Sequence, residues 1–229
     1  MRVGLFDSGI GGLTVLKTLL KKYPNNEYIY YGDTLNVPYG NKSKEELLEL
    51  SKNNMNFLIS KNVDIIIIAC GTVSSNCLDY LKSNYDIPIY SIVTPTIDYL
   101  NNSNYSNIGV IATNATINSH IFKNNINNKN IYEIATPKLV NIIESNNYEE
   151  LDNILHEYLD EYKDKIDVLV LGCTHYPIIK EHIKNIVRCD IIDMSDYIKI
   201  EEGSSKNLEI YFSKLDDNIK KSVERILNS

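Results

Sequence analysis

Tryptophan is absent from the sequence, and cysteine is scarce, with only four residues at positions 70, 77, 173 and 189. No two of these cysteines form a CxxC pair, which argues against a zinc ribbon and against a redox dithiol. A cytosolic chain of this size does not need disulfides to hold its fold. We therefore expect four free thiols and predict no structural metal.

The sequence also lacks an excess of positive charge and any long apolar run. Lys and Arg number 23 against 30 Asp and Glu, which gives a net charge of −7 and no basic footprint for nucleic acid. The longest apolar runs, such as residues 65–70, are far too short to span a bilayer. The N-terminus has no apolar signal-peptide core. We expect no nucleic-acid partner, no membrane partner and a cytoplasmic location.

What the sequence does contain is an alternation of short apolar runs, rich in Ile and Val, with amphipathic segments of helical length. Ser43 and Glu46 form a capping box at the start of one such segment. This alternation predicts an α/β fold with a doubly wound parallel sheet. The predicted strands are residues 2–6, 27–33, 63–70 and 87–93, and the predicted helices are residues 12–23, 43–61 and 74–85.

The alternation restarts after an Asn-rich segment at residues 101–107, which is the predicted linker. Gly4 aligns with Gly109, and Cys70 aligns with Cys173, at nearly the same offset along the chain. We interpret this repeat as an internal duplication rather than as the chance likeness of buried strands. It predicts two pseudo-symmetric doubly wound domains, with the last helix packed on the first half. The predicted domains are residues 1–95 with 207–229, and residues 96–206.

Cys70 and Cys173 each follow a strongly apolar strand, in the segments DIIIIACGTVSS and DVLVLGCTHYP. In open parallel sheets, ligands bind beyond the carboxyl ends of the strands. The small or polar residues after each cysteine can begin a helix, whose N-terminus lowers the pKa of a thiol. If the two halves face each other, the two thiols lie on opposite walls of one cleft. One thiolate can then remove a proton from a carbon atom while the other thiol returns one from the far side.

The competing interpretation is that each cysteine is a core residue, which is the more common fate of a single cysteine. We keep that interpretation for Cys77, inside a predicted helix, and for Cys189, at a predicted strand start. A metal site at Cys70, Cys173 and His175 lacks further ligands at a recognisable spacing, so no metal is predicted there.

Other polar residues follow the predicted strands. The segment FDSGIGG places Asp7 and Ser8 at the end of the first strand, and its glycines allow close approach of a ligand. The segment YGDTLNVPYGNKS is suited to a loop over the cleft, and His175 stands where it can tune the proton of Cys173. Thr113 and Thr116 occupy the matching strand end of the second half. Glu144 has the character of an ordinary helix-face carboxylate, and three histidines are predicted at the surface: His120, His156 and His182.

Five segments in order, from GLFDSGIGGLTVLK through YYGDTLNVPYGNKS, IIACGTVSS and GVIATNATINS to LVLGCTHYP, resemble the cofactor-independent glutamate racemases of the aspartate/glutamate racemase superfamily. The resemblance implies two pseudo-symmetric domains with the active site in the cleft between them. It implies racemisation of L-glutamate to D-glutamate for peptidoglycan, without cofactor or metal, in a homodimer.

The resemblance also assigns roles to residues. Cys70 and Cys173 would be the two acid/base residues, assisted by Asp7 and His175 respectively, with Glu144 supporting His175. Substrate contacts are assigned to the following residues: Asp7, Ser8, Tyr39, Gly40, Gly71, Thr72, Thr116, Thr174 and His175.

Two positions depart from the family pattern. Gly71 stands where the family usually has asparagine, and residues 135–140 lack a cysteine that the family commonly places before the proline. An absent hydrogen bond to a charged group costs about 1.5–3 kcal/mol. The change at Gly71 therefore keeps open a racemase for another amino acid, such as aspartate. A non-catalytic binding protein for an anionic amino acid is the remaining alternative.

Overall fold

A computed structural model of the protein describes residues 1–228. All nine strands in this part of the chain are parallel to their neighbours. In chain order the strands are β1 (Arg2–Asp7), β2 (Glu27–Gly32), β3 (Ile65–Ile68), β4 (Ile89–Ser91), β5 (Asn107–Ala112), β6 (Asn130–Ala135), β7 (Val168–Leu171), β8 (Asp190–Asp193) and β9 (Asn207–Phe212).

The strands form two sheets, with the orders β4-β3-β1-β2-β9 and β6-β5-β7-β8. Read from the other edge, the second sheet is β8-β7-β5-β6, which repeats the order β4-β3-β1-β2 of the first. The predicted fold class, with two parallel-sheet α/β domains, is therefore confirmed. The added strand β9 pairs with β2, so the chain returns to the first sheet after completing the second.

Helices connect the strands. They are α1 (Leu13–Lys22), α2 (Lys44–Ser60), α3 (Gly71–Asn76), α4 (Leu78–Asn84), α5 (Val93–Asn101), α6 (Asn114–Asn118), α7 (Ile121–Asn125), α8 (Leu139–Ser145), α9 (Leu151–Leu159), α10 (Lys180–Lys184) and α11 (Asp217–Asn228). Two 3₁₀ turns span Tyr176–Ile179 and Met194–Tyr197. None of the helices within residues 1–228 combines the length and the hydropathy needed to cross a membrane.

Local sequence chemistry explains several of these elements. The Ser43 hydroxyl accepts the N–H of Glu46, and the Glu46 carboxylate accepts the N–H of Ser43, so the predicted capping box at the start of α2 is confirmed. The four isoleucines of β3 are all buried, as expected for a strand with helices on both faces. The final helix α11 packs against α1 of the first half.

Three predicted elements differ from the structure. The strand predicted over residues 63–70 is shorter, since β3 covers only Ile65–Ile68. The helix predicted over residues 74–85 begins earlier and divides at Cys77, whose φ of −121° leaves the helical region. The strand predicted over residues 87–93 is shorter, because the Ser91 hydroxyl accepts the N–H groups of Val93 and Thr94 and turns the chain into α5. The domain boundary predicted after residue 95 falls inside α5 and remains a proposal.

Candidate active site

The carboxyl ends of the two sheets face each other across a small cavity. Both of the expected thiols, Cys70 after β3 and Cys173 after β7, line this cavity. Its volume of about 10 Å³ is comparable to the space needed by one water molecule. The complete lining comprises Ser8, Tyr39, Gly40, Cys70, Gly71, Thr72, Thr113, Val140, Cys173, Thr174 and His175.

Most of the residues expected to contact substrate therefore lie together. Asp7 and Thr116 are one layer further back, where each contacts a lining residue: Asp7 lies 3.5 Å from the Thr174 hydroxyl, and Thr116 accepts a hydrogen bond from Thr113 at 3.1 Å. Sequence reasoning did not identify Val140 as a lining residue. Val140 is the second residue of α8, and nothing in its sequence context distinguishes this apolar residue from an ordinary core residue.

Cys70 is buried, and its sulfur lies 3.9 Å from the Ser8 hydroxyl oxygen. Burial, followed by the nearby charge of Asp7, raises the thiol pKa well above its usual value of 9.0. The N–H of Val73 in the first turn of α3 acts in the opposite direction but is outweighed. The expectation that a helix N-terminus leaves Cys70 with a lowered pKa is therefore wrong, because desolvation dominates at this site.

Asp7 is completely buried beside Cys70. Its Oδ2 accepts the N–H of Gly12 at 2.7 Å, and the Thr174 hydroxyl lies 3.5 Å from both carboxylate oxygens. Burial raises the pKa of Asp7, although the charge of His175 and the N–H groups of Gly12 and Ser8 act to lower it. A carboxyl group in this setting can exchange a proton with a neighbouring thiol.

Cys173 lies beside a different acid/base group. The His175 ring is buried, with Nδ1 3.6 Å from the sulfur of Cys173 and Nε2 2.7 Å from Oε1 of Glu144. Burial lowers the pKa of His175, but its bonds to Cys173 and Glu144 reverse this and raise the pKa well above 6.5. Burial raises the pKa of Glu144, and the bond from His175 more than compensates, so the net pKa is lowered. Both directions favour an imidazolium ring bonded to a carboxylate.

Glu144 is thus a partner of His175 rather than a solvated helix-face carboxylate. It also reaches the first domain, where its Oε1 lies 3.3 Å from the N–H of Ile10. The glycine-rich loop after β1 can lie this close because a Cβ atom on Gly11 would stand 2.5 Å from Nδ1 of His175. The glycines of FDSGIGG therefore give room to the Glu144 and His175 side chains of the second domain.

The loop over the cavity is held by buried polar contacts. The Tyr39 hydroxyl donates to Oδ2 of Asp33 at 2.5 Å and accepts from the Asn54 amide at 3.3 Å. The Gly40 carbonyl accepts the N–H of Ala115 from the second domain at 2.9 Å. Sequence reasoning did not identify Asp33 as a support, although it precedes Tyr39 in the same turn-rich segment.

The remaining cysteines and histidines lie elsewhere. All four cysteines are free, as expected; Cys77 is packed in the core, and Cys189 is half-buried at the edge of the second core cluster. The three other histidines are exposed, as predicted, and each pairs with a carboxylate: His156 with the exposed Asp160, His182 with the exposed Asp152, and His120 with Glu133, whose side chain is largely buried.

Known proteins share this sequence and architecture. Residues 28–197 match the family model described as Asp/Glu/Hydantoin racemase. The glutamate racemase of Hydrogenobaculum sp. is 39% identical, across 99% of this chain and 93% of that protein. The glutamate racemase of Aquifex aeolicus is 38% identical, across 99% and 94% of the two chains.

A solved structure gives the same result. The glutamate racemase of Francisella tularensis, crystallised in complex with D-glutamate, superposes with a TM-score of 0.88 at 32% identity. The match covers 100% of this chain and 94% of that one. The resemblance first carried by five short segments is therefore confirmed over the whole length. The chain is an amino-acid racemase, an isomerase, and it belongs to the Asp/Glu/Hydantoin racemase family.

Proposed function

We propose that this protein interconverts L- and D-glutamate by proton transfer between Cα of the substrate and the thiols of Cys70 and Cys173. The observation that carries the proposal is that these two thiols line one cavity from facing sheets, each with its own acid/base partner. A binding site alone needs no such pair. The relatives named glutamate racemase support glutamate as the substrate.

The proposed step balances in both directions. One cysteine thiolate takes the Cα proton, and the electron pair of that C–H bond is held as a carbanion next to the substrate carboxylate. The opposite thiol then gives its proton to the other face of Cα, which inverts the centre. The protein is left with the proton on the first sulfur and a thiolate on the second, which is the form that acts on the opposite enantiomer.

The neighbouring groups suit this exchange. The buried Asp7 carboxyl lies where it can take a proton from Cys70 or return one. On the other wall, Nδ1 of His175 lies 3.6 Å from the sulfur of Cys173, where the ring can exchange a proton with the thiol, and Glu144 holds the ring by its far nitrogen. The two thiols therefore have different neighbours, a carboxyl group at Cys70 and an imidazole at Cys173, and each neighbour can pass a proton to or from its thiol.

Small polar groups around the cavity are the proposed substrate contacts. The hydroxyls of Ser8, Thr72 and Thr174, together with backbone N–H groups at Gly40 and Gly71, would bind the two carboxylates and the ammonium group. Thr116 would act through Thr113. Because the cavity of about 10 Å³ has room for about one water molecule, the residues around it would move apart to admit substrate and close again around it.

Three further expectations belong to this proposal: the peptidoglycan role and the homodimer rest on the resemblance, and the cytoplasmic location rests on the sequence itself. D-glutamate made by the protein would supply peptidoglycan synthesis, the protein would act in the cytoplasm, and it would form a homodimer. Light scattering at several protein concentrations measures the last of these directly, and a mass of one chain throughout would contradict it.

The decisive experiment is exchange of the Cα proton in heavy water, followed by NMR on L- and D-glutamate. We expect exchange and racemisation by the wild type, and loss of racemisation in Cys70→Ser and in Cys173→Ser. Cys77→Ser is the matched control, since this thiol is buried in the core away from the cavity. Racemisation at the wild-type rate in either cavity variant would contradict the mechanism.

The same assay separates the alternatives on substrate and activity. Exchange with aspartate but not with glutamate would identify a racemase of another specificity. Thermal stabilisation by glutamate without any Cα exchange would identify a binding protein.

A further inference from the structure

Thr14 joins the two loops that carry the proposed proton-transfer groups, although it does not line the cavity. It is the second residue of α1 and is half-buried. Its hydroxyl oxygen lies 2.9 Å from the carbonyl oxygen of Gly11 and 3.0 Å from that of Thr174. A hydroxyl carries one proton, so this single donor is shared between a carbonyl of each domain.

Both carbonyls stand next to the chemistry. Thr174 lies between Cys173 and His175 in the chain. On the other side, Gly11 precedes Gly12, whose N–H holds the Asp7 carboxylate at 2.7 Å. The Thr14 hydroxyl therefore bonds to the backbone at the point where the Asp7 loop meets the Cys173–His175 segment.

The carbonyls beside that of Thr174 are used differently. Cys173 and His175 accept the N–H groups of Tyr176 and Ile178, both at 3.1 Å, inside the turn that follows β7. The Thr174 carbonyl instead points across the domain interface to Thr14. Thr14 thus holds the backbone of this turn to the first domain, in addition to the contact of the Thr174 hydroxyl with Asp7, while the internal shape of the turn is fixed by its own backbone.

We propose that Thr14 is a positioning residue for the racemisation: it sets the distance between the Asp7–Cys70 side and the Cys173–His175 side of the site. This inference rests on the proposed function. Loss of the hydroxyl removes a polar tie but no group that touches substrate. A displacement of about 1 Å between reacting groups can cost about 100-fold in rate, so a small relaxation of this tie has a measurable effect.

Thr18 provides a matched comparison one turn along the same helix. Its hydroxyl lies 3.2 Å from the Thr14 carbonyl oxygen and 2.9 Å from the hydroxyl of Ser195 in the second domain. It therefore bridges the same two domains from the same helix, but at the 3₁₀ turn Met194–Tyr197 instead of a catalytic loop. A comparison of variants at Thr14 and Thr18 therefore distinguishes positioning of the Cys173–His175 segment from bridging of the two domains in general.

The test compares Thr14→Val, Thr14→Ser and Thr18→Val by kcat, KM and pH profile for both enantiomers of glutamate, with Tm measured in parallel. Valine keeps the shape of threonine without the hydroxyl. We expect Thr14→Val to lose about 10-fold or more in kcat with KM within about threefold, and to shift its pH profile, because the His175–Cys173 geometry changes. Thr14→Ser should recover kcat to within about threefold, and Thr18→Val should keep kcat and the pH profile while losing a similar amount of Tm.

Three results would overturn the inference: a wild-type kcat in Thr14→Val, an equal loss of kcat in Thr18→Val, or a loss of kcat that Thr14→Ser does not recover. Thr14→Ala replaces Thr14→Val in the same comparison if the valine variant does not fold. A wild type without Cα exchange on glutamate contradicts the proposed function itself, whereas an active wild type with an equally active Thr14→Val contradicts only the role of Thr14.

Discussion

The carbonyl oxygen of Gly172 lies 2.5 Å from the place where a Cβ atom on residue 71 would stand. Gly71 follows Cys70, and Gly172 precedes Cys173, so the residues next to the two thiols meet across the domain interface. The two domains approach so closely at residue 71 that only glycine, which has no Cβ atom, fits there without displacing the backbone of Gly172. A side chain there meets a backbone atom of the other domain, which has little freedom to move aside.

Gly71→Ala should lower kcat/KM for both enantiomers of glutamate by about 10-fold, because overpacking of about 1–3 kcal/mol opposes closure of the site. Gly109→Ala is the control: the added Cβ would meet the end of the flexible Ile166 side chain at 2.8 Å, inside the second domain and away from the cavity. We expect the control to lower Tm and leave kcat/KM near the wild-type value. Equal activities in the two variants would show that residue 71 does not limit closure.

Glu144→Gln should change stability in a pH-dependent way. The pKa of His175 is raised above 6.5 in the folded protein. Its contribution to the free energy of unfolding is therefore complete below pH 6.5 and is lost as the pH rises through the raised pKa. The pKa of Glu144 is lowered from 4.5, so its contribution is complete above 4.5 and is lost as pH falls through the lowered pKa. The pair therefore stabilises most between pH 4.5 and 6.5.

The measurement is Tm from about pH 5 to about pH 9 for the wild type, Glu144→Gln and the exposed control Glu149→Gln. The Tm deficit of Glu144→Gln should be largest at the acidic end and shrink towards the alkaline end, while the deficit of the control stays flat. A deficit that stays flat across this range, like that of the control, would mean that His175 is neutral beside Glu144.

Much of the fold could be predicted because its signals are local. The Ser43–Glu46 capping box, the four isoleucines of β3 and the repeat of two glycine-bearing strands are each contained in a short stretch of sequence. The convergence of Cys70 and Cys173 followed from the same repeat, since matching strand ends face each other when two matching sheets do.

The features that could not be predicted depend on contacts between distant segments. Burial at the closed interface, which raises the pKa of Cys70, has no signature in the neighbouring residues. The reason for Gly71 lies at Gly172, and the partner of Glu144 lies at His175. In each case the residue type was visible in the sequence, but the groups that surround it come from segments far away along the chain.

Asp7→Asn should slow the reaction and shift its pH dependence. The Asp7 charge is the second cause, after burial, of the raised pKa of Cys70. A neutral amide removes that contribution, so the thiol pKa falls and the rise of kcat/KM that reflects thiolate formation moves to lower pH. The amide cannot accept or return a proton, so kcat should fall by about 100-fold.

The pH dependence of kcat/KM on both enantiomers checks this prediction. Asp64→Asn serves as the control, because Asp64 is exposed just before β3, at the opposite end of the strand from Cys70. An unchanged rate in Asp7→Asn, or a shift of its profile to higher pH, would contradict the contact between Asp7 and Cys70.

Tyr39→Phe should destabilise the protein through Asp33. The Asp33 carboxylate is only 3% exposed and accepts the Tyr39 hydroxyl at 2.5 Å, with the Asn36 amide 3.0 Å from both of its oxygens. Phenylalanine fills the same volume but removes a donor from a buried charge, which costs about 1.5–3 kcal/mol in the free energy of unfolding. Tyr85→Phe, whose hydroxyl makes an exposed bond of 3.4 Å to Asn56, should cost less than about 0.5 kcal/mol.

Urea unfolding of the two variants measures both free energies on one scale. Because the Tyr39 hydroxyl is bound to Asp33 and Asn54, the variant should keep its kcat once folded and raise KM through a looser loop. A kcat that falls while the free energy of unfolding is unchanged would instead place the hydroxyl in contact with the reacting groups. Equal stability of Tyr39→Phe and Tyr85→Phe would mean that Asp33 does not depend on Tyr39 for its burial.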